Sequence, residues 1–151
     1  MKTSSITKLL PLAICSLVTT SIQASGYRIP ENSVNSTALS AAYVANAHGA
    51  DAAYFNPAAM VFNEDRAMLE GNMSYIYLSP IDYSGLTNDS SERQHFFIPS
   101  FHYASKAYGK ARFGFSVVTP GGLTKRWRGV LPKSSAEKFS LKTIELNPSI
   151  A

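Results

Sequence analysis

From Arg66 onward the sequence alternates with a period of two, and no other feature restricts its possible folds as much. In "RAMLEGNMSYIYLS" the positions Ala67, Leu69, Gly71, Met73, Tyr75 and Tyr77 are apolar or aromatic, with Arg66, Glu70, Asn72 and Ser74 between them. "FIPSFHYAS" sets Phe97, Phe101 and Tyr103 against Ser100 and His102, and "ARFGFSVVT" sets Phe113, Phe115 and Val117 against Arg112, Gly114 and Ser116. "LKTIELNPSIA" sets Ile144, Leu146 and Ile150 against Thr143, Glu145, Asn147 and Ser149. Successive strand side chains point to opposite faces, so each run reads as a strand with one apolar and one polar face.

Two architectures accept such strands. A soluble sandwich turns the apolar face inward; a membrane barrel turns it to lipid and keeps the polar face for the lumen. Three features favour the barrel. The runs approach the roughly 9 to 11 residues that cross a bilayer at a tilt. Tyr75, Tyr77 and Tyr103 stand near strand ends, where interfacial aromatic girdles lie. The connections alternate between long ("PIDYSGLTNDSSERQ"), short ("KAYGK") and long ("GGLTKRWRGVLPKSSAEKFS"), as external loops and periplasmic turns do.

The start of the chain agrees with export. Lys2 and Lys8 form a positive n-region, "LLPLAICSLVTTSI" an apolar h-region, and Ala24 suits a cleavage site, so residues 1–24 are expected to be a signal peptide. A transmembrane helix would need about 20 apolar residues, and this run is shorter and holds Pro11, Ser16, Thr19, Thr20 and Ser21. Cys15, the one cysteine, leaves with the leader, which excludes a disulfide scaffold, thiol catalysis and thiolate metal sites in the mature chain. Charge is uneven: residues 25–92 carry two basic and eight acidic side chains, residues 93–151 ten basic and two acidic. That asymmetry can mark a membrane partner, and no nucleic-acid motif accompanies it.

Residues 25–65 show no period of two. Asn35 or Ser36 can cap a helix through "TALSAAYVANAH" with Gly49 as its stop. So short and alanine-rich a helix is marginal alone. It is followed by "DAAYFNPAAM". The residue before a proline is pushed out of helical conformation, proline suits the first position of a helix, and asparagine is a strong N-cap. Asn56-Pro57-Ala58 therefore reads as a stop and restart between two short helices, with the Asn56 side chain capping Ala58 or Ala59.

Taken together, the leader, "SGYRIPENS", the small-residue stretch "ALSAAYVANAHGADAAYF", "NPA", the alternating strands and "FGFSVVTPGGL" resemble the outer-membrane long-chain fatty acid transporter family, which includes aromatic-hydrocarbon transporters. The resemblance implies an N-terminal hatch over 25–65 plugging an all-β transmembrane barrel that begins at 66–151, with Asn56, Pro57 and Ala58 in the hatch. It implies a kink in the third strand at Pro120, Gly121 and Gly122 that opens a lateral exit to the membrane, and a place for Tyr27 beside the ligand. Ala38, Ala41 and Ala50 depart from residues common in the family. On residues alone, Pro120-Gly121-Gly122 fits a bulge or a plain strand end equally. Tyr27 suits a pocket edge or a packing anchor.

No motif of a hydrolase elbow, zincin, phosphate loop or dinucleotide fold is present, so the reading is a non-enzyme with no cofactor and no metal. His48 is expected to pack in the hatch, His95 to lie in a loop and His102 to face the lumen. Lys125, Arg126, Trp127 and Arg128 read as a solvated loop or as a basic-aromatic patch for lipopolysaccharide phosphates.

An open sheet cannot sit in lipid, where each unpaired backbone group costs several kcal/mol. The 151 residues supply about four strands, so the expectation is the first part of a longer chain, monomeric when complete and unable to transport alone. The expected function is passive transport of a long-chain fatty acid or other hydrophobic solute. The alternatives are a general channel or adhesin, without plug or gap, and a soluble periplasmic β-rich binding protein or enzyme.

Overall fold

The computed structural model describes residues 28–129, 134 and 137–151. The signal peptide expected over 1–24, and Tyr27, lie outside the described residues.

Four antiparallel strands, β1 (Met68–Leu78), β4 (Gln94–Ala104), β5 (Phe113–Val118) and β8 (Glu145–Ile150), form an open sheet in the order β1-β4-β5-β8. Its burial is inverted relative to a soluble sandwich. Along β1 the side chains alternate half-buried and exposed, with Leu69 70% and Met73 65% exposed on the apolar face, while His102 and Ser116 on the polar face are fully buried. A sheet that hides histidine and serine and shows leucine and methionine is built for an apolar surrounding on its outer side.

The two long connections hold structure that alternation did not reveal. β2 (Asp82–Ser84) pairs with β3 (Asn88–Ser90), and β6 (Thr124–Arg126) pairs with β7 (Lys138–Ser140). Three residues are too few to display a period. His95, expected in a loop, stands in β4 opposite Tyr77, with its Nδ1 2.6 Å from the Tyr75 hydroxyl. β4 extends beyond the expected run because Gln94–Phe96 match β1 residue for residue.

The N-terminal segment lies on the polar face. α1 (Val34–Ala38) begins at Ser33, not Asn35 or Ser36. Ser33 and Ser36 make a reciprocal capping box. The expected continuous helix ends early: Ser40 N–H donates to Thr37 O and Ala41 N–H to Ser36 O, a Schellman closure with both residues left-handed (φ 49° and 69°). Such closures normally use glycine, and neither position is one. The reversal lets Tyr43 become fully buried ahead of a 3-10 turn, Val44–Asn46.

α2 (Ala52–Phe55) and a 3-10 helix, Pro57–Phe62, flank Asn56, so the stop and restart is present. The cap is not: Asn56 Nδ2 instead donates to Val44 O at 3.2 Å, and only its backbone carbonyl receives the Ala59 N–H, at 2.9 Å. With extended φ and ψ 86° at Asn56, the side chain joins two turns rather than closing one. α2 packs on β4, β5 and β8, and Tyr43, Ala47, Ala52, Ala53, Met60 and Ala104 form the core between segment and sheet.

Candidate functional site

Three junctions hold the N-terminal segment on the sheet. At the first, His102 Nε2 lies 3.0 Å from Asn32 O and Nδ1 3.0 Å from Ser116 Oγ. A carbonyl only accepts, so Nε2 carries a proton and donates to Asn32 O. At the second, the buried Arg112 donates to Asn63 O at 2.9 Å, Glu64 O at 3.1 Å and Ser105 O at 3.2 Å, tying the end of the segment to the short turn. At the third, Gly114 gives backbone room: a Cβ there would lie 2.6 Å from Ala53 Cβ and 2.9 Å from Met60 Sδ. Sequence reasoning placed Gly114 on the polar face without seeing this seat. A glycine inside an otherwise regular strand was the available signal.

Within the segment, the Tyr43 hydroxyl donates to Asp51 Oδ1 at 2.8 Å, with His48 O a second acceptor at 2.9 Å, and accepts from His48 N at 3.0 Å. The His48 ring packs edge-on against the Tyr43 ring, centroids 5.7 Å apart, while its outer side stays exposed and Nδ1 lies 2.8 Å from Asn46 O. Burial, reinforced by the Asp51 carboxylate, pushes the Tyr43 phenol up to about 12 from 10.0. A raised folded value means that the protonated phenol stabilises the fold fully below pH about 10. That contribution is lost as pH rises through about 12. Tyr43→Phe is expected to lower thermal stability at neutral pH and to flatten its alkaline decline between these values, read as melting temperature against pH. An unchanged alkaline slope would assign the decline to other groups.

The strand break lies on the other side of the segment. β1 and β4 pair over their whole length, Met68↔Ala104 to Leu78↔Gln94, but β4 and β5 pair only from Phe101↔Val117 to Ala104↔Gly114. Beyond Val118 the chain turns away: Pro120 has no N–H for a ladder, and its carbonyl accepts from Ile29 N at 2.7 Å. Gly121 then exchanges bonds with Thr143, its N–H to Thr143 Oγ1 at 2.8 Å and its carbonyl from Thr143 N at 2.8 Å. A Cβ at Gly121 would lie 3.0 Å from both Leu141 Cδ2 and Thr143 Oγ1. The start of β4 thus lacks a neighbour on one side, and a cavity of about 530 Å³ opens beside Phe96, Ile98, Thr119, Gly122 and Ile144.

A second cavity, about 270 Å³, lies where the segment meets β8, beside Arg28, Pro30, Val44, Tyr54, Phe55 and Glu145. Arg28 forms an ion pair with Glu145 and donates to the Tyr54 hydroxyl at 2.8 Å. Tyr54 is raised above its ordinary value, first by burial and then by the Glu145 charge.

The basic loop residues tie the long connections together. Lys125 Nζ donates to Ser79 O at 2.7 Å and Glu92 O at 3.2 Å, Arg126 to Glu137 Oε1 at 3.2 Å, and Arg128 pairs with Glu92. Trp127 bridges to Ser91. Among the described residues no group of His, Cys, Asp and Glu could hold a metal ion, and no helix is long and apolar enough to cross a membrane.

A model of the family described as outer membrane protein transport protein (OMPP1/FadL/TodX) matches residues 15–151. Neither the curated proteins nor the solved structures compared with the chain give a match. Because the family match runs through the N-terminal segment, the four long strands and the break between them, the chain belongs to this family of outer membrane transporters of hydrophobic compounds.

Proposed function

We propose that the chain carries long-chain fatty acids, or hydrocarbons of similar size, across the outer membrane by passive transport. Transporters of this family are not enzymes, so the driving force is the solute's own transfer from water to lipid. In this reading residues 25–65, including Asn56, Pro57 and Ala58, are a hatch against the inner wall of a barrel whose first strands lie in 66–151. Pro120, Gly121 and Gly122 form the kink that leaves a sideways exit. Tyr27 stands beside the solute, next in sequence to Arg28, which lines the inner cavity. Lys125, Arg126, Trp127 and Arg128 lie at the rim, where lipopolysaccharide phosphates would meet the exposed guanidinium of Arg128.

The observation that carries the proposal is the departure of β5 from β4 toward the N-terminal segment through the Ile29–Pro120 bond. An apolar cavity on the exit side gives a water-averse solute a path into lipid. The break also couples that path to the segment behind it.

The test is uptake of radiolabelled oleate by intact cells that lack their own fatty acid transporter and produce the complete protein. Oleate should enter several-fold faster than in cells without it, while entry of arabinose is unchanged. Equal acceleration of both solutes would make it a general channel. Recovery of the protein in solution without detergent would make it a periplasmic binding protein.

A further inference from the structure

The outward face of β1 and β4 changes chemistry along its length. Leu69, Met73 and Phe101 are exposed on the part nearer the short turn, and the exposed positions continue through Tyr75, Phe97, Tyr77 and His95 to Arg93. Tyr77 pairs with His95 one residue short of the end of the ladder at Leu78↔Gln94. Leu69 and Tyr77 lie about 27 Å apart along the strand at ~3.4 Å per residue. At a tilt of about 40° that separation spans most of an apolar band about 25 Å tall. The Tyr77–His95 pair therefore stands at head-group level, on the side of the long connections.

A polar cluster occupies that level. The Tyr75 hydroxyl lies 2.6 Å from His95 Nδ1 with the two rings stacked 6.0 Å apart, and the Tyr77 ring lies 5.1 Å from that of His95. A phenol that donates to Nδ1 leaves the Nε2 hydrogen for an outside acceptor. Arg93 is exposed, and among the described residues it has no carboxylate within ion-pair distance. The acid beside it, Glu92, is engaged by Arg128. The backbone next to Arg93 is fixed: Glu92 N–H donates to Arg126 O at 2.9 Å, Glu92 O accepts from Lys125 Nζ at 3.2 Å, and Ser91 bridges to Trp127. An unanswered guanidinium is thus held two residues beyond a histidine and two tyrosines, at the border of an apolar wall.

We propose that this cluster is a site for the phosphorylated diglucosamine head of lipid A, on the outer wall and separate from the rim contact at Arg128. The Arg93 fork takes a phosphate bidentately. His95 Nε2 and the Tyr77 hydroxyl donate to the same phosphate or to the adjoining sugar, and acyl chains lie along Phe97 and Met73. Tyrosine suits this border because its ring is apolar and its hydroxyl prefers a wet partner. Charge selects the occupant. A zwitterionic phospholipid brings its own cation, whereas the lipid A head brings only anionic phosphates to a guanidinium that no carboxylate neutralises. The proposal rests on the wall reading with the long connections outside, and not on the solute's path, so oleate uptake and lipid binding fail separately.

The experiment uses the complete protein in a neutral maltoside detergent and reads bound lipid by native mass spectrometry. The probes are bisphosphorylated hexa-acyl lipid A, the same lipid stripped of both phosphates, phosphatidylglycerol and phosphatidylethanolamine. Bisphosphorylated lipid A should bind at least about tenfold more tightly than each of the others, and salt should weaken it most. Arg93→Gln should bind it about tenfold more weakly, as loss of a charge-assisted contact predicts, and should bind the stripped lipid as the parent does. Arg93→Lys should lose less, because it keeps the charge without the fork. His95→Phe, which keeps a ring and removes the donor, should lose several-fold. Parental binding of bisphosphorylated lipid A by Arg93→Gln would overturn the site. Loss in Arg128→Gln alone would place the phosphate at the rim, with the same consequence. Equally tight binding of phosphatidylglycerol would make the cluster a general anionic-lipid patch and remove the lipid A assignment.

Discussion

Gly114→Leu is expected to unseat the N-terminal segment from the sheet while the β1–β4 ladder survives. A Cβ at this position already meets Ala53 Cβ at 2.6 Å and Met60 Sδ at 2.9 Å, and the Ser149 hydroxyl lies on the same side. Met60 and Ser149 can rotate away, but Ala53 Cβ is fixed to α2, so a larger side chain must move the helix. Overpacking of this kind costs about 1–3 kcal/mol. Tenfold faster protease cleavage within residues 28–65 corresponds to about 1.4 kcal/mol and is the expected minimum. Leakage of small hydrophilic solutes through the complete protein should rise with it. Gly114→Ala should show the same effects to a smaller degree. Cleavage at the parent rate in the leucine variant would mean that the segment is not held at this seat.

Gly122→Trp is expected to abolish most solute uptake without harming assembly. A Cβ here would make only ordinary contacts, 3.4 Å to Thr119 Cγ2 and 3.8 Å to Ile98 Cδ1, so alanine should behave like the parent. An indole, by contrast, must enter the cavity between β4 and the 141–144 stretch, since that is the open space beside the residue. Growth on oleate as sole carbon source should fall at least about tenfold relative to the alanine variant at equal protein abundance in the membrane, as loss of the path rather than of the fold would cause. Normal growth of the tryptophan variant would remove the break from the transport route.

The long strands were legible because a period of two over many residues has one simple cause, a sheet with different surroundings on its two faces. The direction of that difference was legible too, because strand length, tyrosine placement and loop lengths all favoured an apolar exterior. Other features depended on partners far along the chain. Asn56 has the composition of a cap, yet its side chain goes to Val44 O, which local preference cannot anticipate. The helix expected through residue 48 ends at Ala38 because Tyr43 is drawn into the core; its glycine-free Schellman closure left no mark in composition. The seat at Gly114 and the bond from Ile29 to Pro120 join residues 61 and 91 positions apart when measured from Ala53 and Ile29, and no periodicity records them. Lys125, Arg126 and Arg128 were visible as a basic run, but their engagement with Ser79, Glu92 and Glu137 emerged only with the loops in place.

The bonds from Asn32 to His102 and from Ile29 to Pro120 also set an order of events during assembly. Residues 28–62 are made first, yet their helices have five and four residues and cannot persist alone. The Ile29 N–H and the Asn32 carbonyl find their partners only after β4 and β5 exist, and the loop closure this requires is slow. The segment is therefore expected to travel as unfolded chain and to take its shape from the sheet it packs on. Segment and sheet are therefore expected to fold as one event.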